Sequence, residues 1–244
     1  MNFYYITGTS RGLGKALAEH YLAAGPDNKV IGISRTESIS HPNYEHYSVD
    51  LTDVNQAKVF HFPPHHNAKR VVLINNAGMI GMIKPGGKMS ADSLIESYHV
   101  NLVSPSLLIN SFMNTYEASN AEKIIVNVSS GAGKYPIGGW AGYCAAKAGI
   151  DLFSRVIQEE QKEAFGYKFR IHSVAPGVVD TRMQEEIRSA DPVDFARLTD
   201  FINYKIEDQL AHPELVARKY AYILDHPEKF DEVLLSVKDI QLTH

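Results

Sequence analysis

Residues 3–24, FYYITGTSRGLGKALAEHYLAA, decide the fold. The first five are apolar or β-prone and predict a buried strand, and residues 15–24 have the apolar spacing of a helix that packs on a sheet. A glycine-rich turn, TGTSRGLG, joins the two. Glycines let backbone amides approach a pyrophosphate closely, and the helix N-terminus beyond them favours negative charge. The stretch therefore predicts a dinucleotide site, although its T-G-x-x-x-G-x-G spacing differs from the common G-x-G-x-x-G fingerprint.

The alternative is a tight turn whose glycines serve packing alone. We favour the dinucleotide interpretation because strand, turn and helix follow one another in the order that such a site needs. This interpretation assigns cofactor contacts to Gly8, Ser10, Arg11, Gly12, Leu13 and Gly14.

Strand-like and helix-like segments alternate along the whole chain. Further apolar or β-prone runs stand at 30–34, 44–49, 70–74, 124–128, 169–174 and 233–237. Such alternation predicts an α/β fold, with a doubly wound parallel sheet and helices on both faces. No internal repeat or low-complexity linker divides the 244 residues, so we expect a single domain over 1–244.

Composition and charge exclude several classes of function. The formal net charge is −4 and the pI about 6.3, so no basic field favours nucleic acid or an anionic membrane surface. A single cysteine, Cys144, rules out an intrachain disulfide framework. The sequence shows no basic leader before a long apolar run, and no apolar stretch approaches the ~20 residues of a membrane helix. We expect a soluble, cytoplasmic protein without nucleic-acid or membrane partners.

Two interruptions of the helical pattern need a separate interpretation. The helix from about 52 is cut short by Pro63-Pro64 within HFPPHH, which we interpret as an exposed loop rather than a metal site, because no Cys, Asp or Glu ligand pattern accompanies its histidines. The helical segment 91–117 contains Pro105 as an interruption and Asn101 in its interior. Because asparagine is a weak helix former, Asn101 indicates either a buried polar contact or a kink.

The end of the second strand bears on the choice of cofactor. Enzymes that use NAD often place an acidic residue there to hold the adenosine ribose. This chain has Ser34-Arg35 instead, and Arg11 in the glycine turn can reach the same region. Because the planar guanidinium fork suits a phosphate, two arginines favour NADP. The alternative is a pair of solvated surface arginines.

Other strand ends carry residues suited to a flat ligand. Asp50 and Leu51 close the third predicted strand, where Asp50 is placed to meet an adenine. Asn76, Ala77 and Gly78 follow the fourth strand, and Asn76 can also bridge backbone groups of neighbouring strands. In open α/β sheets ligands bind beyond the carboxyl ends of the strands, so we expect these residues to meet at one cleft.

The stretch 127–149, NVSSGAGKYPIGGWAGYCAAKAG, carries the candidate chemistry. Tyr143 and Lys147 stand four residues apart on a predicted helix and share one of its faces. A nearby ammonium lowers the pKa of a phenol, which favours proton transfer. Ser130 lies thirteen residues before Tyr143, across a loop that can fold back towards the same oxygen. The alternative is an amphipathic helix that carries a tyrosine and a lysine by chance.

Together these segments resemble the short-chain dehydrogenase/reductase family over almost the full chain. The resemblance rests on TGTSRGLG (7–14), NNAG (75–78), Asn101, Ser130, Tyr143-x-x-x-Lys147 and Pro176-Gly177 with Thr181. It implies a Rossmann-type domain with Asn101, Ser130, Tyr143 and Lys147 as the catalytic residues. It also implies NADP as the cofactor and further cofactor contacts from Tyr143, Lys147, Pro176, Gly177, Val179 and Thr181.

The segment 176–188, PGVVDTRMQEEIR, further resembles the sepiapterin reductase and benzil reductase group of that family, which reduces carbonyls beside a second carbonyl. The resemblance implies NADPH-dependent hydride transfer to a ketone, an aromatic or bicyclic α-dicarbonyl that is benzil-like or pterin-like, with Asp239 as a possible pterin anchor. Tyr143 would donate the proton, Ser130 would bind the same oxygen, and Asn101 would hold a water that links Lys147 to solvent. The alternatives are an NADP-dependent alcohol or hydroxysteroid dehydrogenase and a non-catalytic NADP-binding sensor.

A long polar segment, 182–208, follows the sixth predicted strand, at a place where a substrate lid would lie. It could equally be a helical pair of ordinary surface. We expect an apolar and aromatic substrate pocket formed by Ser130, Tyr135, Trp140, Tyr143, Met183 and Phe201, together with Met79, Ile80 and Pro136, and with Phe195 or Phe201 closing over it. The apolar residues of the helical segments 90–117 and 142–164 further predict a homodimer.

Overall fold

In the computed structural model, which describes residues 1–165 and 168–242, seven parallel strands form one sheet. The strands are β1 Asn2–Thr7, β2 Asn28–Ser34, β3 Tyr44–Ser48, β4 Arg70–Asn75, β5 Glu122–Val128, β6 Arg170–Ala175 and β7 Leu234–Ser236. Their order across the sheet is β3-β2-β1-β4-β5-β6-β7. The chain therefore starts in the middle of the sheet, winds outward to β3, and then returns past β1 to wind outward to β7.

Helices cover both faces of this sheet. They are α1 Gly12–Ala23, α2 Val54–Val59, α3 Ala91–Tyr98, α4 Ser104–Tyr116, α5 Ala141–Glu160, α6 Arg182–Arg188, α7 Leu198–Ile206 and α8 Pro213–Asp225. One face packs against α1 and α8 through residues such as Leu17 and Tyr220, and the other packs against α4 and α5 through residues such as Phe112 and Ile150. The predicted doubly wound parallel sheet is confirmed, and burial on both faces explains the near-continuous apolar strands.

The segment around Asn101 contains the structural reason for its asparagine. A π-helical turn, His99–Val103, joins α3 to α4 and contains Asn101, and the helical path continues through it. The expected interruption at Pro105 is thus a widened turn just before the proline. Proline cannot donate the usual backbone hydrogen bond, and a local π turn accommodates this loss without a break.

The proline-histidine loop after α2 is less exposed than we expected. Phe62 is buried, and His65 stacks on Phe3 with ring centroids 3.6 Å apart. His65 Nε2 also lies 2.8 Å from the hydroxyl of Tyr5. Because α2 has only six residues, the loop covers a part of the sheet that a longer helix would otherwise cover. His61 and His66 are exposed as expected.

The segment 182–208 forms a pair of short helices, α6 and α7, before α8 leads to the last strand. Helix α8 has thirteen residues and packs against α1. Within the two described ranges, every helix is too short or too polar to span a lipid bilayer.

Candidate active site

The carboxyl ends of the strands open into one cleft of about 1040 Å³. It is lined by the segments that follow β1, β2, β3, β4, β5, β6 and β7, and by α6 and α7. We call the part beside the glycine turn and β2 the cofactor end, and the part beneath α6 and α7 the substrate end. A cleft at this edge is what parallel α/β sheets provide for ligands.

At the cofactor end the glycine turn needs its glycines for two reasons. Gly8 and Gly12 have φ of +72° and +56°, conformations that residues with a side chain rarely adopt. A Cβ at Gly14 would come within 2.2 Å of the Gly8 carbonyl oxygen. Gly8 and Gly12 line the cleft together with Ser10, Arg11 and Leu13, whereas Gly14 does not. This glycine lets α1 pack closely on the turn, and a contact between Gly14 and the cofactor stays a prediction.

Asn76 joins the ends of β1 and β4 beneath the glycine turn. Its Nδ2 donates to the carbonyl oxygens of Thr7 (3.0 Å) and Gly8 (3.3 Å). Thr7 Oγ1 in turn accepts from the backbone amides of Asn76 and Ala77, both at 2.9 Å. Asn76, Ala77 and Gly78 all line the cleft. The asparagine thus holds the cofactor end rigid, as its sequence position suggested.

Both arginines of the cofactor end are exposed and line the cleft. Within the described residues, neither Arg11 nor Arg35 has an ion-pair or hydrogen-bond partner for its guanidinium. Asp50 and Leu51 line the same end, and Asp50 Oδ1 accepts from the backbone amide of Thr52 at 3.0 Å and from its hydroxyl at 2.8 Å. The two cations are therefore available to a ligand, while Asp50 is partly occupied in holding its own turn.

Ser130, Tyr143 and Lys147 meet at the carboxyl end of β5. The hydroxyl of Ser130 accepts from the Ala132 amide at 3.2 Å and lies close enough to that of Tyr143 to lower the pKa of the phenol. Lys147 Nζ lies 5.6 Å from the centroid of the Tyr143 ring and donates to the Val128 carbonyl at 2.8 Å. All three residues line the cleft. Four-residue spacing on α5 places the tyrosine and lysine on one face, and the turn after β5 brings the serine to them.

Burial is the largest influence on the pKa values of Tyr143 and Lys147. It raises the pKa of Tyr143 to about 12, against a lowering by the hydrogen bond with Ser130. It also lowers the pKa of Lys147 to about 8, against the nearby charge of Asp151, which raises it. The expectation that Lys147 lowers the phenol pKa does not match the structure, because the loss of solvent around the phenol outweighs other influences.

Asn101 lies behind the cleft wall, and it is absent from the residues that line the cleft. Its Nδ2 donates to the carbonyl oxygens of Met79 (2.8 Å) and Ser97 (2.9 Å), and its Oδ1 accepts from the Met79 amide (3.3 Å). A Cβ built on Gly78 would lie 3.1 Å from Asn101 Oδ1 and 3.8 Å from Lys147 Nζ. Asn101 therefore fixes the segment after β4 and lies on the lysine side of it.

The segment after β6 runs beside the glycine turn. Gly177 has φ +74°, and Thr181 Cγ2 would lie 3.2 Å from a Cβ on Gly12. Val179 forms an isolated parallel bridge with Ala211, which ties this segment to the start of α8. Pro176, Gly177, Val179 and Thr181 all line the cleft, as expected.

The substrate end has an apolar and aromatic wall, and charged side chains lie beside it: Lys134, Arg182, Glu186, Arg197 and Lys238. The expected residues that line it are Met79, Ile80, Ser130, Tyr135, Pro136, Trp140, Tyr143, Met183 and Phe201. Phe195 is fully buried and stacks on Trp140 with ring centroids 5.4 Å apart, so it supports the wall from behind. Of the two phenylalanines expected to close the pocket, the structure places Phe201 there and not Phe195.

Comparison with known proteins agrees with this geometry. The family profile described as short chain dehydrogenase matches residues 2–192, most of the chain. The chain belongs to the short-chain dehydrogenase/reductase family. It is therefore an oxidoreductase that acts on CH–OH or C=O groups and uses a nicotinamide cofactor.

Among the relatives of this chain are three proteins named benzil reductase ((S)-benzoin forming). The one from Bacillus cereus is 37% identical over 241 residues, covering 93% of this chain and 96% of the relative. Sepiapterin reductase of Rattus norvegicus is 31% identical and covers 77% and 78% of the two chains. The crystal structure of a short-chain dehydrogenase/reductase from Saccharomyces cerevisiae has a TM-score of 0.84, covers 98% and 97% of the two chains, and at 24% identity shows the same fold.

The residues of this dehydrogenase fit a dinucleotide. The turn presents two glycines at positive φ, a Cβ on Gly8 would come within 3.0 Å of Ala77 Cα, and the two arginines beside the turn are unpaired within the described chain. Backbone amides can therefore approach a pyrophosphate closely, and cations stand near its adenosine side.

Several residues of the substrate end were missed from the sequence. They are Lys134, Ile137, Gln184, Glu186, Arg197, Tyr204, Ser236 and Lys238. Ser236 and Lys238 flank buried Val237, an alternation at the end of β7 that could have indicated them. Asp239, the expected pterin anchor, is exposed and lies outside the cleft, whereas Lys238 lines it. Within the segment 182–208, spacing along the sequence did not show which polar side chains face the cleft.

Proposed function

We propose that the protein is an NADPH-dependent carbonyl reductase that acts on aromatic or bicyclic α-dicarbonyl compounds. The observation that carries this proposal is the position of the Ser130–Tyr143 hydroxyl pair. The pair lies beside Lys147, at the base of an apolar and aromatic substrate end. Two hydroxyls that meet in such a wall can bind a single carbonyl oxygen and leave the carbon exposed to a hydride.

The nicotinamide cofactor supplies the hydride, and the residues of this chain control the proton and the charge. Tyr143 donates its proton to the oxygen of the substrate carbonyl as negative charge develops there. Ser130 donates a hydrogen bond to the same oxygen and stabilises that charge. The raised pKa of Tyr143, about 12, keeps the phenol protonated at neutral pH, which is the form a proton donor needs.

Lys147 has a different task. With a pKa of about 8, Lys147 is protonated in most copies of the protein at neutral pH. Its positive charge stabilises the phenolate that remains on Tyr143 after proton transfer. We propose that Lys147 also holds the nicotinamide ribose. Asn101 fixes the segment after β4 and, on the lysine side of that segment, would hold the water through which the proton is replaced.

Preference for NADPH is proposed from the cofactor end. Arg11 and Arg35 flank the position where enzymes that use NAD often carry an acidic residue, and both guanidinium groups are unpaired within the described chain. Planar guanidinium groups bind phosphate in a bidentate manner, whereas a ribose hydroxyl needs an acceptor. A 2′-phosphate therefore complements this end better than a free hydroxyl.

The dicarbonyl class is proposed from the substrate end and from relatives that are named benzil reductases. Trp140 lines the wall, and its Nε1–H is buried with no hydrogen-bond partner among the described residues. An unpaired buried donor costs free energy, which the second carbonyl of the substrate would recover by accepting a hydrogen bond. Helices α6 and α7, which carry Met183 and Phe201, would serve as the lid over such a substrate.

The decisive experiment compares carbonyl compounds with NADPH as the reductant. We expect benzil and 1-phenylpropane-1,2-dione to be reduced faster than glyceraldehyde or pyruvate. Burying one phenyl ring is worth about 2 kcal/mol, so kcat/KM should be higher by at least roughly thirtyfold. A preference for the small polar carbonyls would contradict the proposed substrate class. Turnover only with NADP⁺ and an alcohol would favour a dehydrogenase that runs oxidatively.

We also propose that the chain forms a homodimer through α3 and α5. These helices pack side by side, and their surface exposes Ile95, Leu152 and Val156 at 50%, 59% and 49%. Such a surface favours contact with a second copy. Light scattering at micromolar concentration should give about twice 27.2 kDa, and a monomer mass would refute this proposal.

A further inference from the structure

Asp151 is a buried carboxylate that the mechanism above does not use. It lies on α5, one turn after Lys147, and is 6% exposed. Its Oδ1 accepts from the hydroxyls of Ser129 at 2.6 Å and Ser173 at 2.5 Å. Burial of a carboxylate costs several kcal/mol unless hydrogen bonds or an opposite charge compensate it. A carboxylate that is buried to this extent therefore indicates a functional role.

The two serine contacts join three elements around the candidate catalytic residues. Ser129 is the first residue after β5 and directly precedes Ser130, while Ser173 lies on the neighbouring strand β6. A Cβ on Gly133 would come within 2.7 Å of Asp151 Oδ2 and 3.0 Å of the Lys147 backbone carbon, so the turn that follows Ser130 lies directly against α5. Asp151 thereby fixes the serine segment to the helix that carries Tyr143 and Lys147.

The carboxylate also acts on Lys147 through its charge. The lysine ammonium is buried, and its one hydrogen bond within the described chain goes to a neutral acceptor, the Val128 carbonyl. Burial lowers the pKa of this lysine to about 8, and the charge of Asp151 opposes that lowering. A negative charge within one helical turn favours the ammonium form.

Other titratable groups lie on α5 and on the elements around it. They are Tyr143 on the same helix, Glu96 on α3, His99 in the π turn, Lys134 after the turn 131–133, His172 on β6 and Tyr220 on α8. His99 and His172 contact backbone carbonyls, at 2.9 and 3.0 Å, and Tyr220 donates to the Val174 carbonyl. Asp151 is the group among them whose charge acts on Lys147.

We propose that Asp151 is a positioning residue that fixes the Ser129–Ser130 segment against α5 and places a negative charge one helical turn from the buried Lys147. This proposal rests on the proposed reductase function. The proposal assigns the alkaline limb of the pH profile, the fall in kcat/KM at high pH, to loss of the proton from Lys147. Tyr143 is not assigned to this fall, because burial raises its pKa to about 12. The limb should therefore shift when the carboxylate charge is removed, and hold its position when only a serine contact is removed.

The test uses Asp151→Asn, which keeps the shape of the side chain and still accepts from both serines. An opposite charge within about 4–6 Å changes a pKa by about 1–3 units. We expect the alkaline limb of kcat/KM for NADPH-dependent reduction of benzil to move down by about one pH unit, with the activity at low pH retained. Ser129→Ala and Ser173→Ala are the matched controls, which should lower kcat without moving the limb. If kcat/KM falls at the same alkaline pH in Asp151→Asn and in the wild-type protein, the proposal is overturned.

A second measurement separates this proposal from the reductase function. NADPH binding, followed by the fluorescence of the cofactor without any carbonyl compound, should weaken at lower pH in Asp151→Asn than in the wild-type protein. Absence of NADPH binding by the wild-type protein would sink the reductase function, whereas binding with the same pH dependence in both proteins would sink the role of Asp151 alone. Should Asp151→Asn not fold, Asp151→Ser must give the same shift.

Discussion

The two ends of the cleft are built in different ways. The cofactor end consists of strand ends and a glycine turn, fixed by Asn76 and Thr7, whose bonds to the ends of β1 and β4 are 2.9–3.3 Å long. The substrate end is closed by two short helices of seven and nine residues, and their outer surface leaves Ile206 75% exposed. The cofactor end carries the strand-end motifs on which the family resemblance rests, whereas the substrate end is formed by side chains of helices that pack over the cleft.

This difference explains the distribution of correct predictions. Residues of the cofactor end follow strands directly, so position in the sequence fixes position in space, and Arg11, Arg35 and Gly78 lie where we expected them. Gly14 shows that a motif position can also serve packing, because a Cβ there would meet the Gly8 carbonyl oxygen. Spacing alone cannot separate the two, because both require the absence of a side chain.

The substrate end could be predicted only in outline. Apolar residues in 182–208 were correctly expected near the cleft, yet helical packing decided that Phe201 faces it while Phe195 stacks behind Trp140. The burial of Tyr143, which raises its pKa, also depends on this packing. A local sequence pattern does not show which distant segments will contact one another in the folded chain.

The largest expected effect lies where the two ends meet. Tyr143→Phe removes the proton donor and leaves the ring, so kcat for benzil should fall by about 10²–10⁴, the range for loss of a general acid. NADPH affinity, measured by fluorescence titration, should stay within a factor of about two, because the cofactor end is unchanged. Tyr135→Phe is the control, since it removes an exposed hydroxyl at the same cleft. Comparable kcat in Tyr143→Phe and the wild-type protein would contradict the catalytic assignment.

The next effect isolates the cofactor end. A hydrogen bond to a charged group is worth about 1.5–3 kcal/mol, so Arg35→Ala should raise the NADPH Kd by roughly ten- to a hundredfold. Binding of NADH, which lacks the 2′-phosphate, should change little. Lys29→Ala removes a surface cation that pairs with Glu45 at 3.0 Å, outside the cleft, and serves as the matched control. Equal losses for both cofactors in Arg35→Ala would show that this arginine is structural.

The smallest effect concerns the indole of the substrate end. If Trp140 donates to the second carbonyl of the substrate, Trp140→Phe should penalise benzil more than deoxybenzoin, in which a methylene replaces one carbonyl. Both compounds lose the same contact area, so the ratio of their kcat/KM values isolates the hydrogen bond. A neutral hydrogen bond contributes about 1 kcal/mol, and the ratio should therefore fall about fivefold. Tyr204→Phe, which alters another ring of the same wall, should leave the ratio unchanged. An equal fall for both compounds in Trp140→Phe would mean that the unpaired Nε1–H does not select dicarbonyls, and that the substrate end distinguishes its ligands by shape alone.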